Sequence, residues 1–352
     1  MKQYSRMIAA MAVCAGVWGC GGTGNDGHPL YVYVGNRDVA SISAFKANGA
    51  GILTPVGSNP FSAAGNPGGL AASPNGRYLY SSNFNNTINQ YRINANGTLT
   101  PLSPATVPLP GAEYGIAITP DGKYVFATSG NNKVYQFVVG SNGTLTANAA
   151  PTVDTGAEPS QIEISPDGQF AYVSNFDDDT ISQYTINGSG SLVANGTAGT
   201  PAGPWSMSFD STGTKVYVGC DGANKVAEYS IGGTGQLTAL GSSPIDGPSG
   251  AYSVAASPTG LFAYSASYTG TDEIRRYSID GTTGALTALN PSASTTNTTQ
   301  WPIQFSPSGV LYVCNQAMGN VSVYQVESDG SLTLIDTTTT GAEPASFAFA
   351  QK

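Results

Sequence analysis

Short hydrophobic runs, each broken by a polar turn, recur along the whole chain from residue 30 to residue 350. The stretch from Pro159 to Asn187 shows the unit most clearly. Gln161-Ile-Glu-Ile-Ser165 reads as a strand, and Pro166-Asp-Gly168 as a reverse turn in which Pro presets φ and Gly accepts a positive φ. Phe170-Ala-Tyr-Val-Ser174 returns, and after a polar loop Thr180-Ile-Ser-Gln-Tyr-Thr-Ile186 runs out again. Gly190-Ser-Leu-Val193 starts a weaker fourth strand. The turn glycines Gly76, Gly122, Gly168, Gly213, Gly260 and Gly309 are spaced by 46, 46, 45, 47 and 49 residues. Four antiparallel strands at such a period predict the blades of a β-propeller.

Registered aromatics count the blades. Second strands carry Tyr33, Tyr80, Phe126, Tyr172, Tyr217, Tyr264 and Tyr312; third strands carry Phe45, Tyr91, Tyr135, Tyr184, Tyr229, Tyr277 and Tyr324. Fourth strands open with Leu53, Leu99, Leu145, Leu192, Leu237, Leu286 and Leu332. The chain enters blade one at its second strand, Leu30-Tyr-Val-Tyr-Val34, so one first strand is missing in the usual order. Gly341-Ala-Glu-Pro344, which leads into Ala345–Ala350, matches Gly156-Ala-Glu-Pro159. The C-terminus is therefore expected to supply the innermost strand of blade one and close a ring of seven, leaving no open sheet edge between blades. The fold class expected is all-β: one seven-bladed propeller of four-stranded antiparallel blades over residues 30–352.

The N-terminus changes the picture of where the protein acts. Lys2 and Arg6 precede a short apolar run, Met7 to Val17, which is too short to span a bilayer and suits a signal peptide. Val17-Trp-Gly-Cys20 resembles a bacterial lipobox. Residues 1–19 are then a lipoprotein signal, Cys20 the lipidation site, and 20–29 a tether. Gly21 in place of Asp favours the outer membrane; the periplasm and the cell surface are the other locations compatible with export. Cys220 and Cys314 fall in blades that are not neighbours, so no disulfide is expected between them.

Composition excludes some functions. Charged residues are 10% of the chain, against roughly 25% in an average soluble protein. With 13 Lys and Arg against 22 Asp and Glu, nucleic-acid binding lacks electrostatic support, and membrane contact is expected through the N-terminal lipid only.

The repeats Phe170-Ala-Tyr-Val-Ser-Asn175…Thr180-Ile-Ser-Gln-Tyr184 and Leu311-Tyr-Val-Cys-Asn315…Asn320-Val-Ser-Val-Tyr324 resemble the lactonase-type seven-bladed propellers. That group takes in 6-phosphogluconolactonase and carboxymuconate cyclases, and overlaps with YVTN-repeat surface proteins. The resemblance implies the fold and offers lactone chemistry, whose enzymatic members are proposed to use His, Arg and Glu. Here the single histidine, His28, falls in the tether, so no Ser–His pair or metal set can be assembled and no cofactor or metal is expected.

Loops from strand four to strand one and from strand two to strand three share a face. Inner-strand positions at that face are Gly68, Tyr114, Ser160, Trp205, Tyr252, Trp301 and Ala345. Tyr114, Trp205, Tyr252 and Trp301 read either as a stacking platform for a sugar or other flat ligand, or as blade-to-blade packing at the rim. Further into the strand the column is Ala71, Ala117, Glu163, Ser208, Ala255, Gln304 and Ala348, where Glu163 and Gln304 stand out. Glu163 is either a channel-lining ligand group or a hydrogen-bonded structural carboxyl. Asp177, Asp178, Asp179, Asp221, Asp272 and Glu273 make this face acidic, as a calcium site or a solvated rim.

The expected function is a non-catalytic binding or scaffolding module of the cell envelope, its partner a small molecule or sugar or an envelope protein. The alternatives are a lactonase-family hydrolase or cyclase using Glu163 and an arginine, and a surface-array or adhesion protein. Cys20→Ala is expected to abolish lipidation and release the protein from the membrane fraction; unchanged fractionation and unchanged palmitate labelling would refute the lipobox.

Overall fold

The computed structural model describes residues 28–268, 273–294 and 300–352. Seven antiparallel sheets form the blades. Their inner strands, in ring order, are Pro344–Gln351, Pro67–Ala72, Ala112–Ile118, Pro159–Ile164, Pro204–Phe209, Ala251–Ala256 and Gln300–Phe305. Each packs against the next, and the last returns to the first. Blade four is typical, with Phe170–Asn175, Thr180–Ile186 and Leu192–Gly199 outside its inner strand. The fourth strands of blades one and five are each broken in two, Leu53–Pro55 with Phe61–Ser62 and Leu237–Ala239 with Ile245–Asp246. The described residues contain one helical turn, the 3₁₀ segment Gln316–Met318.

The ring closes as the sequence predicts. The C-terminal strand pairs with Leu30–Asn36 from Leu30↔Gln351 to Asn36↔Pro344. Phe347 and Phe349 from this strand pack with Tyr312 and Val323 of blade seven, while Ala348 and Ala350 pack with Leu70 and Leu79 of blade two. One strand thus fastens both neighbours.

Between blades, the second-strand tyrosines supply the same bond again and again. Each ring is buried, and its hydroxyl donates to the carbonyl of the turn glycine between strands three and four of the next blade: Tyr33 to Gly97 (2.9 Å), Tyr80 to Gly143 (2.7 Å), Tyr172 to Gly235 (2.7 Å), Tyr217 to Gly284 (2.8 Å), Tyr264 to Gly330 (3.0 Å) and Tyr312 to Gly51 (2.8 Å). Phe126 fills the position in blade three without a hydroxyl. The turn must be glycine for two reasons. Gly235 has φ +81, and a Cβ there would run into the Phe170 ring.

A second column backs the first. The third-strand residues opposite these aromatics include Gln90, Gln136, Gln183 and Glu228, whose Oε1 atoms accept the N–H of Leu145 (2.5 Å), Leu192 (2.6 Å), Leu237 (2.6 Å) and Leu286 (2.6 Å) in the following blade. The register corrects one expectation. In blade three Phe126 lies opposite Gln136, so the in-register aromatic is Phe137, opposite Val125, and not Tyr135. Tyr135 sits two residues earlier, half-buried, its hydroxyl bonded to Asn131.

Cys220 and Cys314 are buried free thiols, as expected of residues in separate blades. No helix among the described residues is long and apolar enough to cross a membrane. Cys20 and the N-terminal signal lie outside the described residues.

Two predictions follow from these seams. Deleting residues 345–352 leaves blade one without its inner strand and is expected to cause aggregation or loss of cooperative unfolding; melting like the full chain would place closure elsewhere. Glu228 is fully buried with Oε2 unpartnered, and burial raises its pKa above the ordinary 4.5, against the lowering bonds from Leu286 N–H and Ser242. A carboxyl whose pKa is raised by folding weakens the fold as pH climbs above its ordinary value. Glu228→Gln should therefore raise Tm by roughly 1–3 °C at pH 8 and lose its advantage near pH 4, as read by calorimetry.

Candidate active site

The inner strands carry the side chains that face the axis and its mouth. At the mouth, Trp205, Tyr252, Trp301 and Ala345 form one cluster with Phe176 and Tyr268, which come from loops after second strands. Trp205 stacks on Tyr252 (centroids 4.2 Å apart), and Tyr252 stacks on Tyr268 (4.8 Å). Trp301 meets Tyr252 edge-on at 5.2 Å, and Phe176 meets Trp205 edge-on at 5.5 Å. The three inner-strand rings keep only 6–8% of their surface exposed. Their faces are largely taken up by one another, which makes this cluster both a wall over blades four to seven and a packing unit. Tyr114 belongs to the inner strand of blade three, and its side chain lies outside the described residues. Gly68 and Ala345 occupy the equivalent positions in blades two and one.

Glu163 lies three residues further along its strand than Ser160, whose hydroxyl donates to Trp205 O (3.2 Å). That places it about 10 Å below the mouth. It pairs across the sheet with Tyr172, just as Gln304 pairs with Tyr312, so both stand at one level of the ring. Glu163 is half-buried as a residue. Protein encloses its carboxyl, and this desolvation pushes the pKa up to about 8, although a bond from Gln161 Nε2 to Oε1 (2.6 Å) pulls it down. Of the two readings offered for Glu163, the hydrogen bond from Gln161 is the feature that the geometry displays. Gln304 is half-buried.

The acidic face is mostly committed to loop structure. Asp178 Oδ2 accepts Ala157 N–H (2.7 Å), and Asp179 Oδ1 accepts Gly203 N–H (2.8 Å). Glu158 has its pKa raised by desolvation and by a hydrogen bond with Asp177. In blade one the equivalent acid, Glu343, instead meets Arg37 (Nε 2.9 Å, Nη2 2.5 Å). Among the described residues no group of three His, Cys, Asp or Glu side chains could hold a metal. Asp272 and the Glu273 side chain lie outside the described residues.

With seven blades, an inner-strand carboxyl and an aromatic mouth in place, comparison with known proteins is informative. The chain matches the family described as lactonase, seven-bladed β-propeller over residues 23–159, 145–255 and 262–352. It belongs to that family. None of the curated proteins matches the chain. Among solved structures, this lactonase-family chain is similar to a Bacteroides uniformis protein provisionally termed a 6-phosphogluconolactonase, with TM-score 0.79, 20% identity, and coverage of 92% of this chain and 99% of that one. A periplasmic gluconolactonase of Pseudomonas aeruginosa gives TM-score 0.72 and 20% identity over 92% and 99%. Hydrazine synthase of Kuenenia stuttgartiensis gives 0.61 and 18% over 80% and 88%. At these identities the likeness is one of fold.

Sequence reasoning did not single out Gln161, Phe176 or Tyr268. Gln161 was within reach, because residues i and i+2 of a strand share a face. The loop aromatics carried no such signal, since only the folded loops bring them over Tyr252 and Trp205. Tyr252 touches three aromatic side chains, Trp205, Tyr268 and Trp301, so Tyr252→Ala is expected to cost about 3–5 kcal/mol in urea unfolding. A loss below about 1 kcal/mol would show the cluster to be loosely packed and free to open for a ligand.

Proposed function

We propose that this chain is an exported lactonase in which Glu163 serves as general acid and base. The observation carrying the proposal is the enclosed inner-strand carboxyl whose pKa is pushed up to about 8. A group with a pKa close to the working pH is available in both protonation states, the condition under which general acid–base catalysis is most effective. In its ionised form Glu163 takes a proton from a water attacking the lactone carbonyl. The tetrahedral adduct collapses by breaking the ring C–O bond, and the same carboxyl returns the proton to the leaving oxygen. Gln304, at the same level of the ring, is the second polar contact for the substrate. Trp205, Tyr252 and Trp301 supply apolar wall at the mouth, against which a sugar ring packs.

The substrate class we favour is an uncharged sugar lactone. Arg37, in the loop after the second strand of blade one, is neutralised by Glu343. Lys133 and Lys225 are likewise paired, with Asp154 and Asp246. A phosphorylated lactone would meet carboxyls and little positive charge. The leader expected at residues 1–19 would carry this hydrolysis to the periplasm, with anchoring at the outer membrane through Cys20.

A second reading, a non-catalytic binding or scaffolding module, draws on the mutual stacking of the mouth aromatics and on the lack of a charged side chain acting on Glu163. One assay separates the two. Purified protein is expected to hydrolyse gluconolactone in preference to its 6-phosphate, with a rate that rises with pH as Glu163 ionises around pH 8. Glu163→Gln should lower that rate by about 10²–10⁴-fold. Absence of turnover in the wild type, with a sugar whose affinity falls in Trp301→Ala, would replace the enzyme by the binding module.

A further inference from the structure

We propose that Gln161 is the positioning residue of the Glu163 carboxyl, its carboxamide clamped by the next blade so that the amide nitrogen must face the acid; the catalytic meaning of this rests on the lactonase reading. Three consecutive blades use the same inner-strand position to hold their neighbour. Met207 N–H donates to Gln161 Oε1 (2.6 Å), Val254 N–H to Ser206 Oγ (2.8 Å), and Ile303 N–H to Ser253 Oγ (3.1 Å). In blades five and six a serine hydroxyl suffices. Blade four, the blade with the inner-strand carboxyl, has a carboxamide instead.

A carboxamide has two ends of opposite character. A backbone N–H can only donate, so Met207 fixes the oxygen of Gln161 toward blade five. The nitrogen is thereby turned toward Glu163, two residues along on the same strand face, and donates to Oε1 at 2.6 Å. The strand beneath is held too, since Gln161 N–H donates to Ser174 Oγ (3.2 Å). Among the described residues Gln161 is the one hydrogen-bond partner of the Glu163 carboxyl. The groups packed around it bring no charge: Tyr172 across the sheet spends its hydroxyl on Gly235 O, and the adjoining strand segments are Met207-Ser-Phe209 of blade five and Ile116-Ala-Ile118 of blade three. A lone donor opposed to desolvation then decides where the carboxyl titrates. It favours the ionised form, the one that activates water.

The test reads the carboxyl itself. With ¹³C-labelled glutamate the seven Glu carboxyls of the chain are followed by NMR against pH, and Glu163→Gln assigns the resonance. Gln161→Ser introduces the hydroxyl that blades five and six use, and Gln161→Met keeps length without donor or acceptor. In both, the Glu163 midpoint is expected to rise by about one unit or more above the wild type, and any pH–rate profile should move to alkaline pH by the same amount. In the wild type, the Gln161 side-chain amide signals should titrate with the Glu163 midpoint, which needs no variant to fold. An unchanged midpoint in a folded variant, or wild-type amide signals indifferent to Glu163 ionisation, overturns the proposal. Lack of lactone turnover overturns the lactonase reading alone, because the carboxyl titrates whether or not substrate is hydrolysed.

Discussion

A hydroxyl reaching across a seam to a glycine carbonyl holds this molecule in register. Six of the seven seams contain the bond, from Tyr33–Gly97 round to Tyr312–Gly51. Its geometry constrains both partners: the tyrosine must be buried to its ring, and the turn it meets must lack a Cβ. Five blades both give and receive such a bond, blade three only receives one and blade four only gives one, so every blade is tied to a neighbour. The C-terminal strand is simply the place where this circular dependence is completed by chain connectivity.

The same constraint explains what could be read in advance. Blade number, ring closure and the column containing Glu163 were legible because glycines and aromatics repeat at fixed offsets. The match of Gly341–Pro344 to Gly156–Pro159 extends to backbone detail, since Glu158 and Glu343 both take positive φ, 50° and 49°. Legibility failed where one blade departs from the others. In blade three two aromatics, Tyr135 and Phe137, compete for one register position, and only the pairing of Phe126 with Gln136 decides between them. At the mouth, the positions of Trp205, Tyr252 and Trp301 were visible, but their mutual stacking was not. It depends on how close successive inner strands come, which no pattern within one blade encodes.

Function is less tightly bound to this architecture than stability is. The fold likeness reaches from a gluconolactonase to hydrazine synthase, so the ring itself selects no chemistry. What individualises this chain is asymmetry within the repeat. The inner-strand column is small or neutral except at Glu163. The seam that flanks it is bridged by Gln161, where the following two seams use serines. Near-identical blades make a single deviation conspicuous, and here the deviations fall side by side.

The two ends of the described chain meet. His28 and Pro29 bond to Lys352, and Lys352 reaches Ile93 O in blade two. This junction lies beside Gly76, in a turn from strand one to strand two, on the face opposite the aromatic mouth. Whatever restrains residues 1–27 therefore pulls on the far side of the ring. A surface that captured the N-terminal segment would hold the propeller like a cup on a stem, with the Trp205 and Trp301 end turned away from that surface toward the surrounding fluid.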